Sequence, residues 1–218
     1  MKTTKTDTDT HDSFESVARS LRKEFGDIDP ETVESFLNFS IDELSRNATS
    51  RQYLPLLAGR FTRQRLQALA KIEGLGEQGR PIALFLCTHN AGRSQMALGF
   101  FTHYAGDHAL AWSGGSEPGD QVNPAAIEAM HERGIDISRE YPKPWTDEIV
   151  KAADVVITMG CGDSCPYFPG KRYEDWELTD PHGLDVAAVR PVRDEIERRV
   201  LELLEELSVP AQPVSFSG

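Results

Sequence analysis

The sequence predicts an α/β fold, a parallel sheet covered by helices on both faces, preceded by a small all-α helical bundle. Three observations carry this reading. From Pro81 onward, apolar runs of strand length alternate with helical patterns, as buried parallel strands and their crossovers do. Before that point, apolar residues recur only at helical spacing. Between the two textures lies "GLGEQGRP", rich in glycine and closed by proline. The expected organisation is a flexible tail over 1–12, a helical bundle over 13–76, a linker over 77–80, an α/β domain over 81–208 and a C-terminal tail over 209–218.

The elements follow in order. Phe14, Val17, Leu21 and Phe25 recur on one helical face. A second helix begins at Pro30, which suits a first helical turn, and carries Val33, Phe36 and Leu37 before an expected break near Phe39-Ser40. A third segment, "LPLLAGRFTRQRLQALAKIEG", places Leu56, Phe61, Leu66, Leu69 and Ile72 on an apolar stripe, with Gly74 and Gly76 as terminators. "IALFLC" is the first buried strand, and a helix follows over about Arg93 to Tyr104. "ALAWS" is a short strand. "NPAAIEAMHERG" has Asn123 as cap, Pro124 at the first helical position and Gly134 as stop. A short helix from Thr146 leads into the strand "DVVITM"; "RYEDWEL" is a further strand, and 185–207 an amphipathic helix.

Composition excludes several function classes. The chain has 218 residues and 39% apolar residues, which suits a globular protein. No apolar run approaches the roughly 18 residues of a membrane span. The polar start, "MKTTKTDTDTHDS", has no apolar core of a secretory signal, so a cytoplasmic location is expected, with no membrane partner. The net charge of −12 falls mostly after residue 80 and argues against nucleic acid. "RQRLQALAK" is locally basic, but a cationic helix face is usually only solvated. A small anion remains admissible, because a local site can oppose the global field.

The stretch "FLCTHNAGRS" concentrates the chemistry. Cys87 ends a strand, and Thr88, His89, Asn90, Ala91, Gly92, Arg93 and Ser94 lead into a helix. In open α/β sheets ligands bind at that edge. Convergent backbone N–H groups and the helix N-terminus make an anion cradle there. Asn90 tolerates a left-handed conformation, and Gly92 relaxes backbone limits. Arg93 offers a planar fork to two oxyanion oxygens. Ser94 is placed to donate to the sulfur. A thiol in that field is expected to ionise easily and to act as a nucleophile beneath a tetrahedral oxyanion.

Two further cysteines, Cys161 and Cys165, follow the strand "DVVITM" and so lie at the same sheet edge as Cys87. Three readings are open. A structural zinc site would need about four ligands, but there is no second cysteine pair and only His182 nearby, so no metal is expected. Inert packing is the second. A redox pair is favoured, since separation by three residues permits a bridge in a helix or loop. No cofactor is expected.

"CTHNAGRS" resembles the Cys-x5-Arg-Ser loop of the low-molecular-weight tyrosine phosphatases and of the arsenate reductases that share their fold. The resemblance spans about residues 81–207 and includes "SGGSEPGDQVNPAAIEAMHERGIDIS", "DVVITMGCGDSCP" and "LTDP" in family order. It implies a flavodoxin-like sheet of four parallel strands, Cys87 as nucleophile, Arg93 as oxyanion ligand and Asp180 of the Asp-Pro pair as general acid. The thioredoxin-coupled arsenate reductases are similar in having two further cysteines, although the pair here is closer together than in the best-known members. That resemblance implies arsenate as substrate, with phosphate or sulfate as competing anions, and a relay. Cys161 attacks Cys87, arsenite leaves, Cys165 attacks Cys161, and thioredoxin opens the resulting disulfide. Gly160 and Gly162 suit a hinge for the travelling sulfur. A low-molecular-weight thiol such as mycothiol is the alternative reductant. The alternative activity is tyrosine phosphatase, but those enzymes carry aromatic residues just after Asp-Pro, where this chain has His182 and Gly183. A non-enzymatic arsenic or redox sensor is a further class.

Overall fold

The computed structural model describes residues 5–46, 52–75, 79–160 and 165–212. The chain divides into two compact units, Met1–Glu77 and Gln78–Gly218. No helix among the described residues is long and apolar enough to cross a membrane.

The first unit holds α1 (Lys5–Glu24), α2 (Pro30–Arg46) and α3 (Leu54–Glu73). Leu21, Val33, Leu37, Ala58 and Leu66 form its core. Gly59 lets α3 approach α1, since a Cβ there would stand 2.9 Å from Val17 Cγ1. The Arg65 guanidinium is buried, 4.0 Å from the Phe36 ring centre and 4.4 Å from that of Phe39.

Several expectations are corrected here. Residues 1–12 are not all tail, because α1 starts at Lys5: no glycine or proline interrupts 5–12, and a helix nucleated by the amphipathic stretch beyond propagates back through it. The break near Phe39-Ser40 is absent. Ser40 satisfies its hydroxyl on the Phe36 carbonyl (2.8 Å) and lies 3.0 Å from the Thr62 hydroxyl, so the polar residue is buried without ending the helix. Leu56 and Ile72 are exposed, not on the apolar stripe. Leu56 is five positions from Phe61, which is no helical repeat, and Ile72 lies in the last turn. Gly74 caps α3 with φ +72, whereas Gly76 lies outside the described residues.

The second unit is built on four parallel strands: β1 (Ile82–Cys87), β2 (Leu110–Gly115), β3 (Val155–Met159) and β4 (Arg172–Asp175), in the order β2-β1-β3-β4. The order reverses at β1, whose successors lie on opposite sides, so the carboxyl end of β1 is the topological switch point. Register places Cys87 opposite Gly115 on one side and Met159 on the other. Residues leaving the ends of β1, β2 and β3 therefore emerge at one level.

The helices of this unit are α4 (Arg93–Ala105), α5 (Pro124–His131), α6 (Asp147–Ala152) and α7 (Val186–Glu206). Alternate strand residues face opposite sides of a sheet. Ala83, Phe85, Val155 and Ile157 pack with Met96, Phe100 and Phe101 of α4 and with Val189, Ile196 and Val200 of α7. Leu84, Leu86 and Val156, on the other face, are fully buried, as are Ile149 and Val150 of α6. Asn123 caps α5, Pro124 opens it, and Gly134 turns the chain at φ +74. The expected tail from 209 is corrected too. Ser208 adopts φ +56 and turns the chain back, so that Val209 is buried in the core and the Gln212 N–H bonds to the Tyr104 carbonyl.

Candidate functional site

Cys87 is the last residue of β1 and only 2% exposed. Its Sγ lies 3.0 Å from the Ser94 hydroxyl in the first turn of α4. Asn90 shapes the intervening loop in a left-handed conformation, φ 47. Its Oδ1 accepts from the Lys143 backbone N–H (3.1 Å) and from Gln95 Nε2 (3.2 Å), which fixes the amide so that Nδ2 donates to Ser94 Oγ (2.9 Å). The Ser94 hydroxyl thus accepts from Asn90, and its own hydrogen is free to point at a Cys87 thiolate.

Two glycines give the loop its space. A Cβ at Gly115 would stand 2.7 Å from the Thr88 carbonyl oxygen, and one at Gly92 would stand 2.5 Å from Pro181 Cγ. Gly92 has φ −122, so close approach of Pro181, rather than backbone freedom, demands glycine there.

Arg93 opens α4 with a nearly buried side chain. Nη2 donates to Asp180 Oδ2 (3.1 Å) and Nη1 to the Leu178 carbonyl (3.4 Å). Gly160, at φ +72 just after β3, leaves room for this guanidinium: a Cβ would meet Nη1 at 2.7 Å. Asp180 is half exposed, and its second oxygen accepts from the His182 N–H (3.1 Å). Thr88 Oγ1 donates to the Gly160 carbonyl (3.1 Å), which ties the loop after β1 to the segment after β3. His89 is exposed; its Nδ1 lies 3.0 Å from the Glu117 carbonyl, and its ring centre is 6.3 Å from that of His182. Cys87, Thr88, His89, Asn90, Ala91, Gly92, Arg93, Ser94 and Asp180 are thus gathered at the carboxyl edge of the sheet.

The remaining cysteines divide. Cys161 and Gly162 lie outside the described residues. Cys165 is disulfide-bonded and partly buried, while Cys87 is a free thiol. The aromatic residues of this region are engaged elsewhere. Trp176 is buried against Phe85, at 5.9 Å between ring centres, and Tyr167 pairs with Tyr173 at 5.1 Å.

Several residues that support the site carry no motif signal. Gln95 is fully buried and bridges Asn90 to the Tyr141 carbonyl (3.1 Å). Lys143 is buried with Nζ 3.2 Å from Ser113 Oγ. Asn123, legible as a helix cap, also donates from Nδ2 to the Pro181 carbonyl (3.0 Å). The adjacent glycines Gly114 and Gly115 at a strand end were the one available hint of a backbone crossing there.

Residues 83–212 match the family described as low molecular weight phosphotyrosine protein phosphatase, and residues 14–70 match the protein-tyrosine-phosphatase-like N-terminal domain. A thioredoxin-dependent arsenate reductase of Corynebacterium glutamicum is similar in structure, with a TM-score of 0.78 and 40% identity, covering 89% of this chain and 96% of that one. An arsenate reductase of Halalkalibacterium halodurans is 40% identical over 136 residues, 58% of this chain and 96% of the relative. A solved arsenate reductase in a phosphate-binding state is 35% identical with a TM-score of 0.52, covering 58% of this chain and 98% of that one.

Proposed function

Because this chain belongs to the low molecular weight phosphotyrosine protein phosphatase family, we propose that it is an arsenate reductase that turns arsenate into arsenite with thiol electrons and is recharged by thioredoxin. The observation that carries this reading is the division of its thiols: Cys87 is free and buried at the end of β1, and Cys165, in the segment that follows β3, is held in a disulfide.

The chemistry proceeds through the chain's own residues. Arsenate sits in the loop 88–93, its oxygens on the backbone N–H groups and on Arg93, which moves from Asp180 to the anion. The Cys87 thiolate, held by the Ser94 hydroxyl, attacks arsenic, and Asp180 gives a proton to the departing oxygen so that it leaves as water. The Cys161 thiolate then attacks the Cys87 sulfur. The electron pair of the sulfur–arsenic bond stays on arsenic, which leaves as arsenite, and a Cys87–Cys161 disulfide forms. Cys165 attacks Cys161, returns Cys87 to the thiolate and leaves the pair oxidised for a dithiol of the thioredoxin type. Two thiols are oxidised and one As(V) is reduced, so the electrons balance.

The test is direct. Reduced protein is mixed with arsenate, quenched and mapped for disulfides by mass spectrometry, alongside arsenate-dependent NADPH oxidation with thioredoxin and its reductase. Wild type turns over repeatedly, Cys87→Ser is inert, and Cys165→Ser makes one arsenite per chain and stops at the Cys87–Cys161 bridge. Full multiple turnover by Cys161→Ser/Cys165→Ser would remove the relay and point to a small thiol such as mycothiol as donor. Efficient aryl phosphate hydrolysis with arsenate untouched would make the chain a phosphatase instead.

A further inference from the structure

We propose that Asn123 is a positioning residue for Asp180, acting through the peptide unit that joins Pro181 to His182. The proposal rests on the reading of Asp180 as proton donor.

Asn123 meets three parts of the site at once. Its Oδ1 accepts from the N–H groups of Ala125 (2.8 Å) and Ala126 (3.3 Å), the ordinary work of a helix cap. Its backbone N–H donates to the Ala91 carbonyl (2.8 Å), inside the anion loop. Its Nδ2, which no cap requires, donates to the Pro181 carbonyl (3.0 Å). That carbonyl belongs to the same planar peptide whose N–H, on His182, donates to Asp180 Oδ1 (3.1 Å). Turning the peptide plane turns the hydrogen bond on the carboxylate with it.

Asp180 has few other restraints. Its side chain is 51% exposed, and among the described residues its second oxygen is held only by Arg93. When Arg93 engages an oxyanion, the His182 N–H becomes the contact that aims the carboxyl group. The Pro181 ring rests against Gly92, so the turn cannot settle deeper toward the loop. Asn123 holds the same turn through the Pro181 carbonyl.

Serine separates the two roles. Asn123→Ser keeps the cap but is too short to reach the Pro181 carbonyl, whereas Asn123→Ala loses both. The measurement is the single-turnover rate of arsenite formation by the reduced full chain, with its dependence on arsenate concentration and a thermal melt. Asn123→Ser is expected to slow the step about tenfold, as a misaimed catalytic group does. Half-saturating arsenate and the melting temperature stay close to wild type. Asn123→Ala slows it equally and also melts earlier. In an Asp180→Asn background, Asn123→Ser costs less than about twofold more, because there is no proton donor left to aim. A wild-type rate for Asn123→Ser, or the same loss carried over into Asp180→Asn, overturns the proposal while the acid role stands. An unchanged rate for Asp180→Asn itself overturns both.

Discussion

Arg93 and Asp180, 87 residues apart in the chain, form an ion pair of 3.1 Å in which the guanidinium is nearly buried and the carboxylate half exposed. The asymmetry has a simple physical content. The cation is fixed by the start of α4 and by its packing against Gly160, while the anion sits on a turn open to solvent. On the proposed reading, an incoming oxyanion would compete with Asp180 for the same fork, and the pairing that gives way would be the one with the exposed partner.

Asp180→Asn preserves the shape of this contact and removes the transferable proton. Single-turnover arsenite formation should fall by roughly 10²–10⁴, the usual worth of a general acid, while phosphate still protects Cys87 from alkylation. A rate within twofold of wild type would assign proton transfer to another group.

Gly92→Ala forces a clash with the rigid ring of Pro181. The new Cβ would lie 2.5 Å from Pro181 Cγ, so the Asp180–Pro181 turn must lift from the anion loop. The expected cost in stability is about 1–3 kcal/mol, with a loss of activity well beyond it. Comparison with Gly134→Ala calibrates this, since that position is strained only by its φ of +74, lies in open space and should lose stability alone. Equal activity in the two variants would show that the turn does not need its seat on Gly92.

Acid sensitivity should have an identifiable component at Glu132. Hydrogen bonds from Arg190 and then Arg193, on α7, hold its carboxyl at about 2, below the ordinary value of 4.5. A depressed value stabilises the fold fully above the ordinary carboxylate range and is lost as pH falls toward the folded value. The melting temperature should therefore fall between pH 4.5 and 2, and fall less steeply in Glu132→Gln. Parallel curves for the two proteins would locate the acid response elsewhere.

Removal of residues 1–76 tests the division of the chain. Each unit has its own buried cluster, and the α/β unit contains Cys87, Arg93, Asp180, Cys161 and Cys165. The truncated chain should melt cooperatively and retain arsenate-dependent thiol oxidation. Loss of a cooperative transition would mean that the helices are needed for the fold of the rest.

The strands and the turn from Cys87 into α4 were legible because their signals are local. "IALFLC" is apolar on both faces, and a strand buried on both sides needs that. What escaped the sequence depends on partners distant in the chain. Ser40 reads as a helix breaker until Thr62 is seen beside it. Gln95 and Lys143 are ordinary surface types whose burial is decided by Asn90, Tyr141 and Ser113. Asn123 gave half of its role: the cap is a local pattern, but the bond to Pro181 crosses 58 residues.

The burial of Cys87 also decides which reagents can meet it. A residue 2% exposed offers no landing surface to a broad or planar electrophile. Whatever reaches the sulfur must fit within the loop and tolerate the cationic guanidinium beside it. Haloacetates meet both conditions, whereas maleimides and aromatic disulfides are too broad for the first. Shape and charge thus sort electrophiles before intrinsic thiol reactivity does. A small anionic alkylating agent is therefore the probe that reports on Cys87.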